Sequence, residues 1–87
     1  MIDGKPACYY LDEAMTIKHD DGTHHFYPAI IVENEPGYNR TDYDYGTDYD
    51  IARKTVDSLN AEGGVDRAEV LRIVESSMRA SRAIGML

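Results

Sequence analysis

Two hydrophobic periods, kept in separate halves of the chain, constrain the fold more than any other feature. From Met15 to Val32, apolar and polar residues alternate around His19-Asp20-Asp21-Gly22-Thr23; from Tyr49 to Arg82, apolar residues recur at spacings of three and four on either side of Gly63-Gly64. The first pattern suits a half-buried strand pair and the second suits amphipathic helices. Strands followed by helices, without alternation, predict an α+β domain. Only one core is expected over residues 1–87, because a chain this short buries about 60–65% of the surface that its unfolded form exposes.

Asp21-Gly22 favours a two-residue type I′ turn. That turn sets Ile17 opposite Phe26 and Lys18 opposite His25, and it places Met15, Ile17 and Phe26 on the core side. Pro28 cannot donate to a ladder, so it predicts an edge position or a bulge before Ala29-Ile30-Ile31-Val32. Ala7 to Leu11 extends the first strand or adds a third, giving a small antiparallel hairpin or three-stranded sheet over residues 8–33. Pro36-Gly37 ends it, and an acidic Tyr/Asp loop, residues 34–47, leads to the helices.

Thr47 is the expected cap of a helix over 48–61, with Asp50 completing a capping-box-like pair, and Tyr49, Ala52, Val56 and Leu59 form its apolar stripe. Asp66 and Glu69 open a second helix over 66–82, with Val65 and Val70 placed as a hydrophobic staple. Val70, Leu71, Val74 and Met78 are its expected buried face, and Ser77 and Ser81 permit close approach of a neighbour. A ββαα arrangement results, with both helices against the hairpin. The tail Ala83-Ile84-Gly85-Met86-Leu87 is apolar and is expected to fold back on the core or to join a second copy in a homodimer.

The formal charge of −7 is unevenly spread: residues 1–50 hold eleven acids and three bases, residues 51–87 five acids and six bases, and all seven tyrosines fall at or before Tyr49. Such a field repels nucleic acid and attracts basic protein surfaces. It is densest at Thr41 to Asp50, TDYDYGTDYD. Asp48 and Asp50 are accounted for by the first turn of a helix, whose dipole favours negative charge. Asp42, Tyr43, Asp44 and Tyr45, with Tyr38 and the upstream Glu33 and Glu35, are the candidate partner-binding residues. Spaced carboxylates can occupy arginine and lysine sites that otherwise hold phosphate, and tyrosine supplies amphipathic contact area.

Other chemistries fit less well. Asp42 to Asp50 reads D-x-D-x-G-x-D-x-D, but counting from Asp42 an EF-hand needs glycine at the sixth position and glutamate at the twelfth, whereas this chain has its glycine, Gly46, at the fifth and Arg53 at the twelfth. His19, His24 and His25, with Asp20 and Asp21, could serve zinc or nickel, yet the expected register divides His19 and His24 from His25. No metal or other cofactor is expected. Ser76, Ser77 and Ser81 lack a histidine nearby in sequence, and no phosphate loop or C-x-x-C is present, so no catalytic residue and no enzyme activity are expected. The arginines Arg67, Arg72, Arg79 and Arg82 suggest a helix-turn-helix, but Glu75 can pair with Arg72 and Arg79, and direct nucleic-acid binding is not expected. No run reaches the length of a membrane span, no signal segment is visible, and the lone Cys8 fits a reducing, cytoplasmic setting.

Tyr45 to Met78 resembles short orphan proteins of actinobacteria and their phages in the Gly-Thr-Asp helix start, the Leu59-Asn60 helix end and the Ile-Val-x-Ser-Ser-Met stretch. No assigned activity comes with that resemblance. Compact size, acidity and lack of catalytic machinery also resemble phage-encoded inhibitors, anti-CRISPR proteins among them, several of which mimic nucleic acid. The expectation is a small acidic protein-binding module that presents Asp and Tyr side chains to a basic partner. The alternatives are a homodimer built through the C-terminal tail, with a solvated acidic loop, and divalent metal binding.

Overall fold

The computed structural model describes residues 2–85. Five short strands precede two helices: β1 Ala7–Tyr10, β2 Thr16–Lys18, β3 His24–Phe26, β4 Ala29–Val32, β5 Asn39–Arg40, α1 Tyr49–Glu62 and α2 Arg67–Gly85. The α+β class follows directly. A hairpin and a three-stranded sheet are both present, as separate sheets: β2 pairs with β3, while β1, β4 and β5 form an antiparallel sheet with β4 in the middle. No helix among the described residues is long and apolar enough to cross a membrane.

The hairpin register differs from expectation by one residue. Thr16 faces Phe26, Ile17 faces His25 and Lys18 faces His24. Thr23 donates from both its amide and its hydroxyl to Asp21 Oδ1, at 2.9 and 2.6 Å. That local bond holds Asp21 out of the positive-φ region that a type I′ turn needs, and Gly22 alone takes it, at φ +88. The amide of His19 donates to the Thr23 carbonyl and that of Gly22 to the His19 carbonyl, which defines a three-residue loop with glycine in the left-handed position. A slip of one residue sets Ile17 on the opposite face from Phe26. Ile17 is therefore 39% exposed while Phe26 is buried, and Met15, which precedes β2, is buried as expected. The positive-φ Asp-Gly pair occurs instead at Asp3-Gly4, where Ile2 and Lys5 exchange backbone hydrogen bonds.

Pro28 stands between the two sheets. It is fully buried, its carbonyl accepts from the amide and hydroxyl of Thr41, and β4 beyond it is the central strand, which corrects the expected edge position. Proline is tolerated because it precedes the first laddered residue. The chain then returns as β5 and continues as a ribbon, with Tyr45 donating its amide to Phe26 and Phe26 donating to Gly46. The segment expected as a free loop is thus largely pinned along β4 and β3.

Both helices pack on the three-stranded sheet, α1 against β1 and α2 against β1 and β4. Asp48 caps α1, accepting from Ile51 N, and this replaces the expected Thr47. Asp66 Oδ1 accepts from Glu69 N at 2.9 Å and opens α2 as expected. Leu11, Met15, Phe26, Ala29, Ala52 and Val56 form one core cluster under the tyrosines; Cys8, Ile31, Ile73 and Val74 form a second under α2.

The buried face of α2 is rotated from the expected one. Ile73, Val74, Ser76 and Ser77 are buried, whereas Leu71 and Met78 are 61% and 56% exposed. The serines take inward positions because the turn after β4 needs partners there. Asn34 N donates to Ser76 Oγ at 3.0 Å, Ser77 Oγ donates to Glu35 O at 2.6 Å, and Gly37 N donates to Ser81 Oγ at 2.8 Å. Arg72 pairs with Glu69 and Glu33 in place of the expected Glu75. Ala83 to Gly85 continue α2, and the rest of the tail lies outside the described residues.

Candidate functional site

The ribbon from Asn39 to Gly46 brings together part of the predicted site. Asp42 is exposed and, among the described residues, has no cation within ion-pair reach. Tyr43 is 48% exposed; its ring lies 6.3 Å from that of Tyr45, nearly parallel, and 6.3 Å from that of Tyr9. Tyr45 is half-buried and packs on the Phe26 cluster, so the ring it supports is anchored to the core. Burial, and then the neighbouring phenols of Tyr9 and Tyr43, push the Tyr45 hydroxyl above its ordinary pKa. Tyr38 is 54% exposed just ahead of β5.

Glu33 and Glu35 lie elsewhere. They follow the far end of β4, where Glu33 stands five positions, about 16 Å of extended chain, beyond Pro28. Both have local partners: Glu33 pairs with Arg72, and Glu35 Oε1 sits 3.3 Å from Lys5 Nζ. Residues 33–38 must turn before β5 returns along β4, and this separates acids that are close in sequence.

Asp44 faces the hairpin, where it has structural work that the sequence did not reveal. Its Oδ1 accepts from Gly46 N at 2.9 Å and lies 2.9 Å from His25 Nδ1; its Oδ2 is 3.8 Å from His19 Nε2. The one-residue register change puts His19 and His25 on one face, stacked at 3.7 Å between centroids and 10° between planes, while His24 points away. Tyr27 Oη is 2.8 Å from His19 Nε2, and Thr23 Oγ1 is 2.8 Å from His25 Nε2. The Gly46 amide, followed by His25, holds the Asp44 carboxyl below its usual range, and burial, then the Asp44 charge, pushes the Tyr27 phenol up. The same three groups, His19, His25 and Asp44, offer ligand atoms that all lie within 4.8 Å of one another. Reading the loop as three residues with glycine last would have brought the two imidazoles together from sequence alone.

A concavity of about 520 Å³ opens between α1 and α2 over β1 and is walled by Tyr10, Leu11, Val56, Val70, Leu71 and Val74. At its base Asn60, 5% exposed, accepts from Tyr9 N at 2.8 Å and donates to Tyr9 O at 3.0 Å. Asn60 extends the Ala52 and Val56 stripe by one more i+4 step, so a polar residue on a buried face was the available signal. Scans against protein-family models, curated proteins and solved structures each return no match for this chain.

Proposed function

We propose that this chain is a small acidic protein-binding module, of the kind phage-encoded inhibitors use, whose Asp42-Tyr43 edge docks on a basic surface of a partner protein in the cytoplasm. One observation carries the reading: an exposed carboxylate without a local cation stands beside an exposed phenol whose ring is braced by Tyr9 and Tyr45. A braced aromatic loses little rotamer freedom on binding, and a free carboxylate can enter an arginine or lysine site that otherwise holds phosphate. Asp44 contributes charge to this edge while remaining tied to the hairpin. Glu33 and Glu35 belong to a different region and are not part of the docking edge.

The test compares capture of host proteins by the unmodified chain and by the double variant Asp42→Lys with Tyr43→Ala, with and without excess duplex DNA. Loss of the same captured protein on mutation and on DNA competition supports mimicry. A captured set indifferent to both rejects it. Self-association is a second reading, favoured by the exposed Leu71 on the wall of the α1–α2 groove and the exposed Met78 two turns further along α2, in addition to the tail. Light scattering coupled to size exclusion, with Leu71→Glu and Met78→Glu as the disrupting pair, decides it.

A further inference from the structure

We propose that His19, His25 and Asp44 form a binding site for zinc, or a chemically similar first-row divalent ion, where the hairpin meets the 39–46 ribbon. The donor set is two imidazoles and a carboxylate, which favours such ions over calcium or magnesium. His25 Nδ1 and His19 Nε2 lie 2.9 and 3.8 Å from the two Asp44 oxygens, and all three ligand atoms fall within 4.8 Å of one another. A tetrahedral ion with bonds of about 2.0–2.1 Å holds its ligands about 3.3 Å apart. The observed spacing brackets that value, and binding requires the two rings, stacked here at 3.7 Å and 10°, to turn so that their lone pairs converge on the ion.

The hydrogen bonds around His25 suit a metal-bound ring. Thr23 Oγ1 donates its single proton to Asp21 Oδ1 at 2.6 Å, and its remaining role toward His25 Nε2, at 2.8 Å, is as an acceptor. Nε2 therefore carries a hydrogen. Nδ1, 2.9 Å from Asp44 Oδ1, is then the ring nitrogen that faces the carboxylate, and an ion bound there leaves the Nε2–Thr23–Asp21 chain intact. An outer hydrogen bond of this kind fixes the tautomer and orientation of metal-bound histidines. Tyr27 Oη, 2.8 Å from His19 Nε2, borders the same space and can hydrogen-bond an Asp44 oxygen or a bound water once Nε2 is taken. Three protein ligands leave at least one coordination position for water.

The site shares Asp44 with the margin of the proposed docking edge, but Asp42 and Tyr43 supply no ligand, so metal binding is read separately from partner capture. The experiment titrates zinc sulfate into the untagged full chain against a chromophoric chelator, with circular dichroism verifying that each variant is folded. One equivalent is expected to bind. His19→Ala, His25→Ala and Asp44→Asn should each weaken it at least about tenfold, Thr23→Val should weaken it by about tenfold through the outer bond, and His24→Ala should leave it unchanged. In the unmodified chain, zinc should shift the imidazole NMR resonances of His19 and His25 and leave those of His24 in place. Absence of binding by the unmodified chain, equal weakening by His24→Ala and His25→Ala, or shifts at His24 alone would overturn the assignment.

Discussion

Replacing Asn60 with alanine is expected to destabilise the fold by roughly 2–4 kcal/mol. The side-chain amide reproduces, from a helix, what a neighbouring strand would offer to the outer edge of β1: Oδ1 accepts from Tyr9 N at 2.8 Å and Nδ2 donates to Tyr9 O at 3.0 Å. Each such bond contributes about 1 kcal/mol net, and a backbone group left without a partner away from water loses about 1–3 kcal/mol. Alanine removes both bonds and also leaves a void at a position that is 5% exposed. A chain of this size is stable by about 4–13 kcal/mol, so the loss is a large fraction of the whole. With a urea dependence of about 1.2 kcal/mol per molar, the midpoint should fall by about 2–3 M. Asn60→Asp is the informative companion. It keeps an acceptor for Tyr9 N but sets a second oxygen against the Tyr9 carbonyl, so it should destabilise at least as much as alanine. Urea titrations followed by far-ultraviolet circular dichroism measure both. If both variants stay within about 0.5 kcal/mol of the parent, the inference that Tyr9 depends on this amide is wrong.

Ile73→Ala should destabilise by about 2–5 kcal/mol and Leu71→Ala by less than about 0.5 kcal/mol, because one is fully buried and the other 61% exposed; thermal melts giving the reverse order would refute the orientation of α2. Cys8 is buried and its thiol is pushed up from 9.0 to about 11, by burial first and by the Glu69 charge second. Native chain at pH 8 should therefore react with iodoacetamide at least about a hundredfold more slowly than urea-unfolded chain, and comparable rates would contradict the burial. Glu69 is held below its ordinary 4.5 by its hydrogen bond to Arg72. Its folded form takes up a proton less readily than its unfolded form, so its contribution is complete above about pH 4.5 and disappears as pH falls through the folded value. Glu69→Gln should flatten the stability profile below pH 4.5, and a profile parallel to the parent would count against the pairing.

Much of the fold was legible because local rules agreed with one another. Gly63-Gly64 and Asp66 marked the junction of the helices, and separate periods marked strands before helices. The failures occurred where a side chain bonded to nearby backbone. Asp21 accepts from Thr23 and so fixes a three-residue loop, and Asp48, one residue after the predicted Thr47, reaches Ile51 N. The face of α2 was misread because serine counted as small and polar, whereas Ser76 and Ser77 are buried to satisfy the turn after β4. At the candidate site, Asp42 and Tyr43 are as exposed as their composition suggested. Asp44 could not be separated from them by sequence alone, since its partners His19 and His25 come from a hairpin whose register depends on one threonine.

The placement of that hairpin between β1 and β4 bears on how the chain assembles. Tyr10 and Ala29 are paired, and residues 11–28 intervene. If the hairpin closes first, the loop left to close between β1 and β4 shrinks from about 18 residues to about 8, easing the entropic barrier by about 0.7 kcal/mol. The local turn then acts as a kinetic latch for the non-local sheet. Gly22 sits at φ +88, a conformation that L side chains resist. Gly22→Ala should accordingly slow refolding more than it speeds unfolding, giving stopped-flow kinetics in which the lost stability falls mainly on the folding limb.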